Sequence, residues 1–196
     1  MIRRAAQGAA VLLMSLTLVT ACSSSNRPED LTLSEAKPCR LILHSRFQAL
    51  NVTRGPTPID SLVGDAVLDG SSCEYSVRHE KRRSPISIYT NNIVTLSVIT
   101  NHGVEWKIDE ASNDDDSKYK DVRRIQGYRA VKVWSVSLTA HPPGPNSPCI
   151  LYVDVTDEQM LRTKVASSHG QADPPTCETA RQFANTALDT LRTRQG

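Results

Sequence analysis

Polar and apolar residues change rhythm along this chain, and each rhythm predicts an element. Cys177, Ala180, Ala184, Ala187, Leu188 and Leu191 recur every three or four residues, so one apolar stripe runs along a C-terminal helix. Asp173-Pro174-Pro175-Thr176 precedes it with a capping side chain and a helix-start proline. Two apolar, β-branched runs, 149–155 and 160–165, flank the polar Thr156-Asp157-Glu158, which predicts an antiparallel hairpin. Cys73, Tyr75 and Val77 alternate with Ser72, Glu74 and Ser76, the period of a half-buried strand, so Cys73 and Tyr75 share its inward face. Beyond a basic stretch at 78–83, read as a solvated hairpin loop closed off by Pro85, residues 86–90 and 93–100 predict two more strand segments.

Elsewhere the pattern is weaker. Cys39, Ile42, Leu43, Phe47 and Leu50 stand at helical spacing, which predicts an early helix over 38–50. Gly55, Pro56 and Pro58 predict a loop, and Asp69-Gly70 a turn. Residues 103–111 fit both periods: Val104, Trp106 and Ile108 alternate, while Val104, Ile108 and Ala111 suit a helix. Residues 113–117 are a loop by charge. Residues 127–139 form a β-rich stretch with Val131, Val133, Ser135 and Ser137 on one side and Ala130, Lys132, Trp134, Val136 and Leu138 on the other. Prolines 142, 143, 145 and 148 end it, since no ladder continues through them. The expected fold class is α+β: a single domain with an antiparallel sheet, N- and C-terminal helices packed on it, and two disulfides.

The N-terminus adds an address. Arg3 and Arg4 precede an apolar run over 9–19, a secretory signal too short for the roughly 20 residues a membrane span needs. Val19-Thr20-Ala21-Cys22 resembles the bacterial lipobox, in which the cysteine sulfur takes a diacylglyceryl thioether and the preceding peptide bond is cut. An ordinary signal peptide cut after Ala21 would leave Cys22 a stray thiol. The lipobox reading divides the chain into a signal peptide (1–21), a lipidated tether (22–30) and an α+β envelope domain (31–196). Two or three acyl chains on Cys22 make a stable anchor, so the expected location is the extracytoplasmic face of the cell membrane, with the membrane itself a partner.

Five cysteines are present, and lipidation of Cys22 leaves an even four, Cys39, Cys73, Cys149 and Cys177, as in an exported chain with two disulfides. Of the three possible connectivities, the local pairs Cys39 with Cys73 and Cys149 with Cys177 are preferred. Each would join a predicted helix to a neighbouring strand and contribute roughly 2–4 kcal/mol by closing an unfolded-state loop. No cysteine pair has the short spacing of a structural zinc site. The net charge of +2 falls to zero once Arg3 and Arg4 leave with the signal, so no nucleic acid partner is implied.

Candidate chemistry is sparse. His79-Glu80 is followed by Arg83 where a metalloprotease helix needs its second histidine. His44, His79, His102, His141 and His169 are scattered, and Asp114, Asp115 and Asp116 lack the glycine of an EF-hand loop. No nucleophile elbow, phosphate-binding glycine loop or dinucleotide fingerprint occurs. No catalytic residue, metal or cofactor is therefore predicted. The basic stretch at 78–83 offers anionic lipid headgroups about 1 kcal/mol per charge, against the plainer reading of a wet loop.

Several of these features together resemble the actinobacterial lipoproteins grouped as domain of unknown function 3558. They are the lipobox cysteine, Pro38-Cys39, Cys73-Glu74-Tyr75, Gly127-Tyr128-Arg129-Ala130-Val131, Cys149 at the head of a strand, the hairpin over 153–165, and Cys177-Glu178-Thr179-Ala180 opening the last helix. The resemblance implies a cell-envelope lipoprotein and brings no activity with it. The expected function is a non-catalytic, membrane-tethered module binding an envelope protein, lipid or glycan. The alternative is an extracytoplasmic hydrolase acting on an envelope component, which needs acid, base or nucleophile groups converging in one pocket.

Overall fold

The computed structural model of the chain describes residues 28–33, 35–59, 70–83, 86–100, 103, 120–134, 148–167 and 176–195. Seven strands are described: β1 (Val52–Ile59), β2 (Gly70–Arg83), β3 (Ile86–Ile99), β4 (Lys120–Ile125), β5 (Tyr128–Trp134), β6 (Cys149–Asp154) and β7 (Met160–Ser167). They form one antiparallel sheet in the order β1-β2-β3-β7-β6-β5-β4. Two meanders, β1 to β3 and β4 to β7, thus meet along β3 and β7. A single described α-helix, α1 (Thr176–Gln195), crosses the sheet.

Register follows the alternation of side chains. Cys73, Tyr75 and Val77 of β2 stand beside Leu96, Val94 and Asn92 of β3, and Leu96 and Val94 stand beside Thr163 and Val165 of β7. This inward face packs on the stripe Ala180, Phe183, Ala184, Ala187, Leu188 and Leu191 of α1, all buried. Burying a side chain as large as Phe183 contributes roughly 1.5–3 kcal/mol. Phe183 meets Tyr75 at 5.4 Å between ring centroids. The Tyr75 hydroxyl donates to the Pro38 carbonyl, and burial pushes its pKa up to about 12. On the opposite face Ile99, Val131, Tyr152 and Met160 form a smaller buried cluster.

The C-terminal helix and the β6–β7 hairpin stand where the periodicity places them; the early helix does not. Residues 38–50 contain two 3-10 turns, Pro38–Arg40 and His44–Arg46, separated by Leu43 in an extended conformation (ψ 144°). Helical spacing misleads here because Leu41, Ile42 and Leu50 reach the core through separate turns. Tertiary burial and the Cys39–Cys73 bond override the weak local preference.

Three strand assignments also change. Residues 52–59, expected as a loop, form β1, because an edge strand tolerates Pro56 and Pro58 where a central one would not. Irregular register between Val52 and Thr57 takes up the distortion. Gly55 is required there, since a Cβ would lie 2.7 Å from the Glu74 carbonyl oxygen. Residues 78–83, expected as a loop, continue β2, and β3 runs unbroken through Asn91-Asn92. The pairs from Arg78↔Asn91 to Arg83↔Ile86 therefore extend as a two-stranded arm past the pairing with β1 and β7. The expectations for residues 104–111, 113–117, 135–139 and 173–175 lie outside the described residues.

Candidate functional site

β4 and β5 are joined by Gln126-Gly127, both at positive φ (50° and 90°), the mirror-image turn that suits the twist of a two-residue hairpin. Gly127 is needed twice over, because a Cβ there would also come within 2.7 Å of the Pro28 ring. α1 grips this turn. Gln126 Nε2 donates to the Asn185 carbonyl (3.1 Å) and to Asp189 Oδ1 (2.8 Å), and Arg192 donates back to the Gln126 carbonyl (3.0 Å). At the other end of the helix, the bond between Cys149 and Cys177 ties its first turn to β6.

Between these two fastenings the sheet and helix enclose a cleft of about 500 Å³. Arg123, Arg124 and Ile125 of β4, Lys132 of β5, Cys149 and Leu151 of β6, and Cys177, Glu178 and Arg181 of α1 line it. Arg123 is paired in register with the buried Ala130, and Lys132 with the buried Leu151, so both cations occupy inward-facing positions. Ile125, Leu151 and the disulfide form an apolar floor. Arg124, paired in register with Arg129, belongs to the opposite face and donates to the Gly127 carbonyl (2.8 Å), so Arg123, Lys132 and Arg181 are the cations on the cleft side, with Glu178 the carboxylate among the described lining residues.

That carboxylate is committed. Arg181 donates to Glu178 through Nε (3.0 Å) and Nη2 (2.8 Å), and Gln182 adds a longer bond. The hydrogen bond from Arg181 is the largest cause holding the Glu178 carboxyl below its ordinary pKa, and Glu178 in turn raises that of Arg181. Glu178 is therefore ionised and cannot serve as a proton donor near neutral pH.

The residues singled out in the sequence fall differently. Cys39 with Cys73 and Cys149 with Cys177 are bonded, whereas Cys22 lies outside the described residues. His44 packs on Phe47 (4.7 Å between centroids) at the surface. His79 lies within β2, with Nε2 3.4 Å from Thr179 Oγ1 of α1, and burial lowers its pKa. His102, His141, His169 and Asp114 to Asp116 lie outside the described residues. No three metal-ligating side chains converge among the described residues. The cleft cations went unremarked in the sequence because they come from three separated stretches. The available signal was Lys132, a lysine between Ala130 and Trp134 on one side of a strand.

A model of the family described as a protein of unknown function (DUF3558) matches residues 17–190. The chain belongs to that family. No curated protein and no solved structure matches it. Of the stretches that carried the likeness, Gly127 completes the gripped turn, and Cys149 at the head of β6 and Cys177-Glu178 in the first turn of α1 line the cleft of this DUF3558 chain.

Proposed function

We propose that this chain is a lipid-anchored domain of the cell envelope, held on the extracytoplasmic face through acyl chains on Cys22, and that it binds an envelope component without turning it over. The lipobox supports the anchor. No helix among the described residues is long and apolar enough to cross a membrane, which is compatible with a domain lying on the surface.

The state of Glu178 supports binding over hydrolysis. An acid catalyst needs a carboxyl whose pKa is raised toward neutrality, and Arg181 shifts this one the other way. A cleft of about 500 Å³ with an apolar floor and charged walls has the build of a small-ligand pocket.

Mass spectrometry and detergent partitioning of the full chain test the anchor: a diacylated Cys22 at the mature N-terminus is expected, and a soluble, unmodified chain would overturn it. A screen of the purified chain against envelope esters, peptides and glycans tests the rest. No turnover is expected, and turnover abolished by Glu178→Gln would establish the hydrolase instead.

A further inference from the structure

Residues 28–33 do not trail from the domain; they are built into one end of it. Pro28 lies against Gly127, and the Tyr128 hydroxyl donates to the Glu29 carbonyl (2.7 Å). The Gln195 side chain holds the Thr32 backbone twice, accepting from its N–H (3.2 Å) and donating to its carbonyl (2.7 Å), and the Leu33 N–H donates to Gln159 Oε1 (2.8 Å). Leu31 and Leu33 are buried. The segment thus crosses the end of the sheet from the turn between β6 and β7, past the last turn of α1, to the turn between β4 and β5.

From Cys22 to Pro28 the chain spans about 22 Å even when fully extended. The headgroup layer, roughly 5–8 Å deep, takes up part of that length. An acylated Cys22 therefore holds this end of the domain close to the bilayer. Register sets the opposite end apart. Asp154 stands beside Met160, Met160 beside Ile99 and Ile99 beside Gly70, so β2 starts at the tethered end and its 14 residues carry the chain roughly 40 Å to the tip of the arm.

The tethered end has the chemistry of a surface that rests on headgroups. Its apolar side chains among the described residues, Leu31, Leu33, Ile125 and Tyr128, are buried and do not enter hydrocarbon. It exposes both signs of charge: Arg192 and Arg194, which donate to the Gln126 and Arg40 carbonyls, stand with Glu29, Asp30 and Asp189. Mixed charge adds little attraction to lipid, which leaves placement to the tether. We propose that the surface formed by residues 28–33, the turn between β4 and β5 and the last turn of α1 faces the bilayer and rests on its headgroups, with the β2–β3 arm directed away. This inference rests on the acyl anchor proposed above and says which surface that anchor presents to the membrane. The basic stretch 78–83 then meets the envelope beyond the bilayer and not the headgroups.

Energy transfer tests it on the acylated full chain in phosphatidylcholine vesicles, with and without phosphatidylglycerol, and an acceptor dye on lipid in the outer leaflet. The donor dye is carried at Thr193 or at Tyr89, both exposed, on an azide-bearing residue that leaves the disulfides alone. In both kinds of vesicle the dye at Tyr89 is expected roughly 30 Å further from the lipid than the dye at Thr193, the rise of β3 between Tyr89 and Ile99. A Gly-Ser insertion between Asn26 and Arg27 should lower transfer from Thr193. Equal transfer from the two positions, stronger transfer from Tyr89 in either kind of vesicle, or no response to the insertion would overturn the inference. Flotation of the same vesicles separates the two readings: a chain that floats but fails in transfer keeps its anchor and loses this orientation, whereas a chain that does not float loses both.

Discussion

Cys39 and Cys177 each fasten a segment to the inward face of the same sheet, but the segments could hardly differ more. Around Cys177 the chain is a helix of 20 residues whose hydrogen bonds are internal and whose apolar stripe covers the sheet. Around Cys39 it is a pair of three-residue 3-10 turns with an extended residue between them. Both segments bury large aliphatic side chains, Leu41 and Ile42 in one and Leu188 and Leu191 in the other. Regular structure is one way to deliver apolar residues to a core, and a covalent tie with a few turns is another. In the second case less of the stability is local.

Substitutions in α1 should have the largest effect. Phe183→Ala removes a fully buried ring in contact with Tyr75 and should cost about 3–5 kcal/mol in urea unfolding. A loss near 1 kcal/mol would mean that the helix is less central than its packing indicates.

The disulfides sharpen the comparison directly. Their loops, 34 and 28 residues, differ in closure entropy by only about 0.2 kcal/mol, so on that account both double alanine variants lose the same roughly 2–4 kcal/mol. We expect Cys39→Ala with Cys73→Ala to lose more, with amide exchange over 38–50 rising well before global unfolding. Equal losses and unchanged exchange would show that the turns hold without their tie.

Two smaller effects probe α1 from its ends. Gly127→Ala forces a side chain into positive φ and against Pro28, and should cost about 1–2 kcal/mol, read as a lowered urea midpoint. His79, beneath the first turns of the helix, should make stability depend on pH. Burial lowers its pKa from 6.5, so the unfolded chain takes up the proton more readily. Its contribution is fully present above pH 6.5 and is lost as pH falls below that value. His79→Gln should flatten the slope of unfolding free energy against pH in this range.

Legibility in the sequence tracked the source of each element's order. α1 and the β6–β7 hairpin declare themselves because Ala184, Leu188 and Leu191, or Leu151, Val153 and Leu161, carry a period set by burial on one face. β1 was hidden because its prolines are tolerated only by virtue of its edge position, which depends on the whole sheet. β4, Lys-Asp-Val-Arg-Arg-Ile, was hidden because Arg123 occupies an inward position where an apolar residue would have marked a strand. The same substitution of charge for hydrocarbon that obscured the strand helps make the cleft.

The strand order has a consequence for how the molecule assembles as it is made. Chain growth from the N-terminus completes β1 to β3 while β3 still lacks its neighbour, because β7 comes more than 60 residues after β3 ends. Until it arrives, Val94, Leu96 and Val98 sit along an unfilled edge, the kind of surface on which nascent chains stick to one another. Each disulfide, however, belongs wholly to one half: Cys39–Cys73 to the meander made first, Cys149–Cys177 to the one made last. Each bond can therefore form within its own half, without waiting for the seam between β3 and β7 to close.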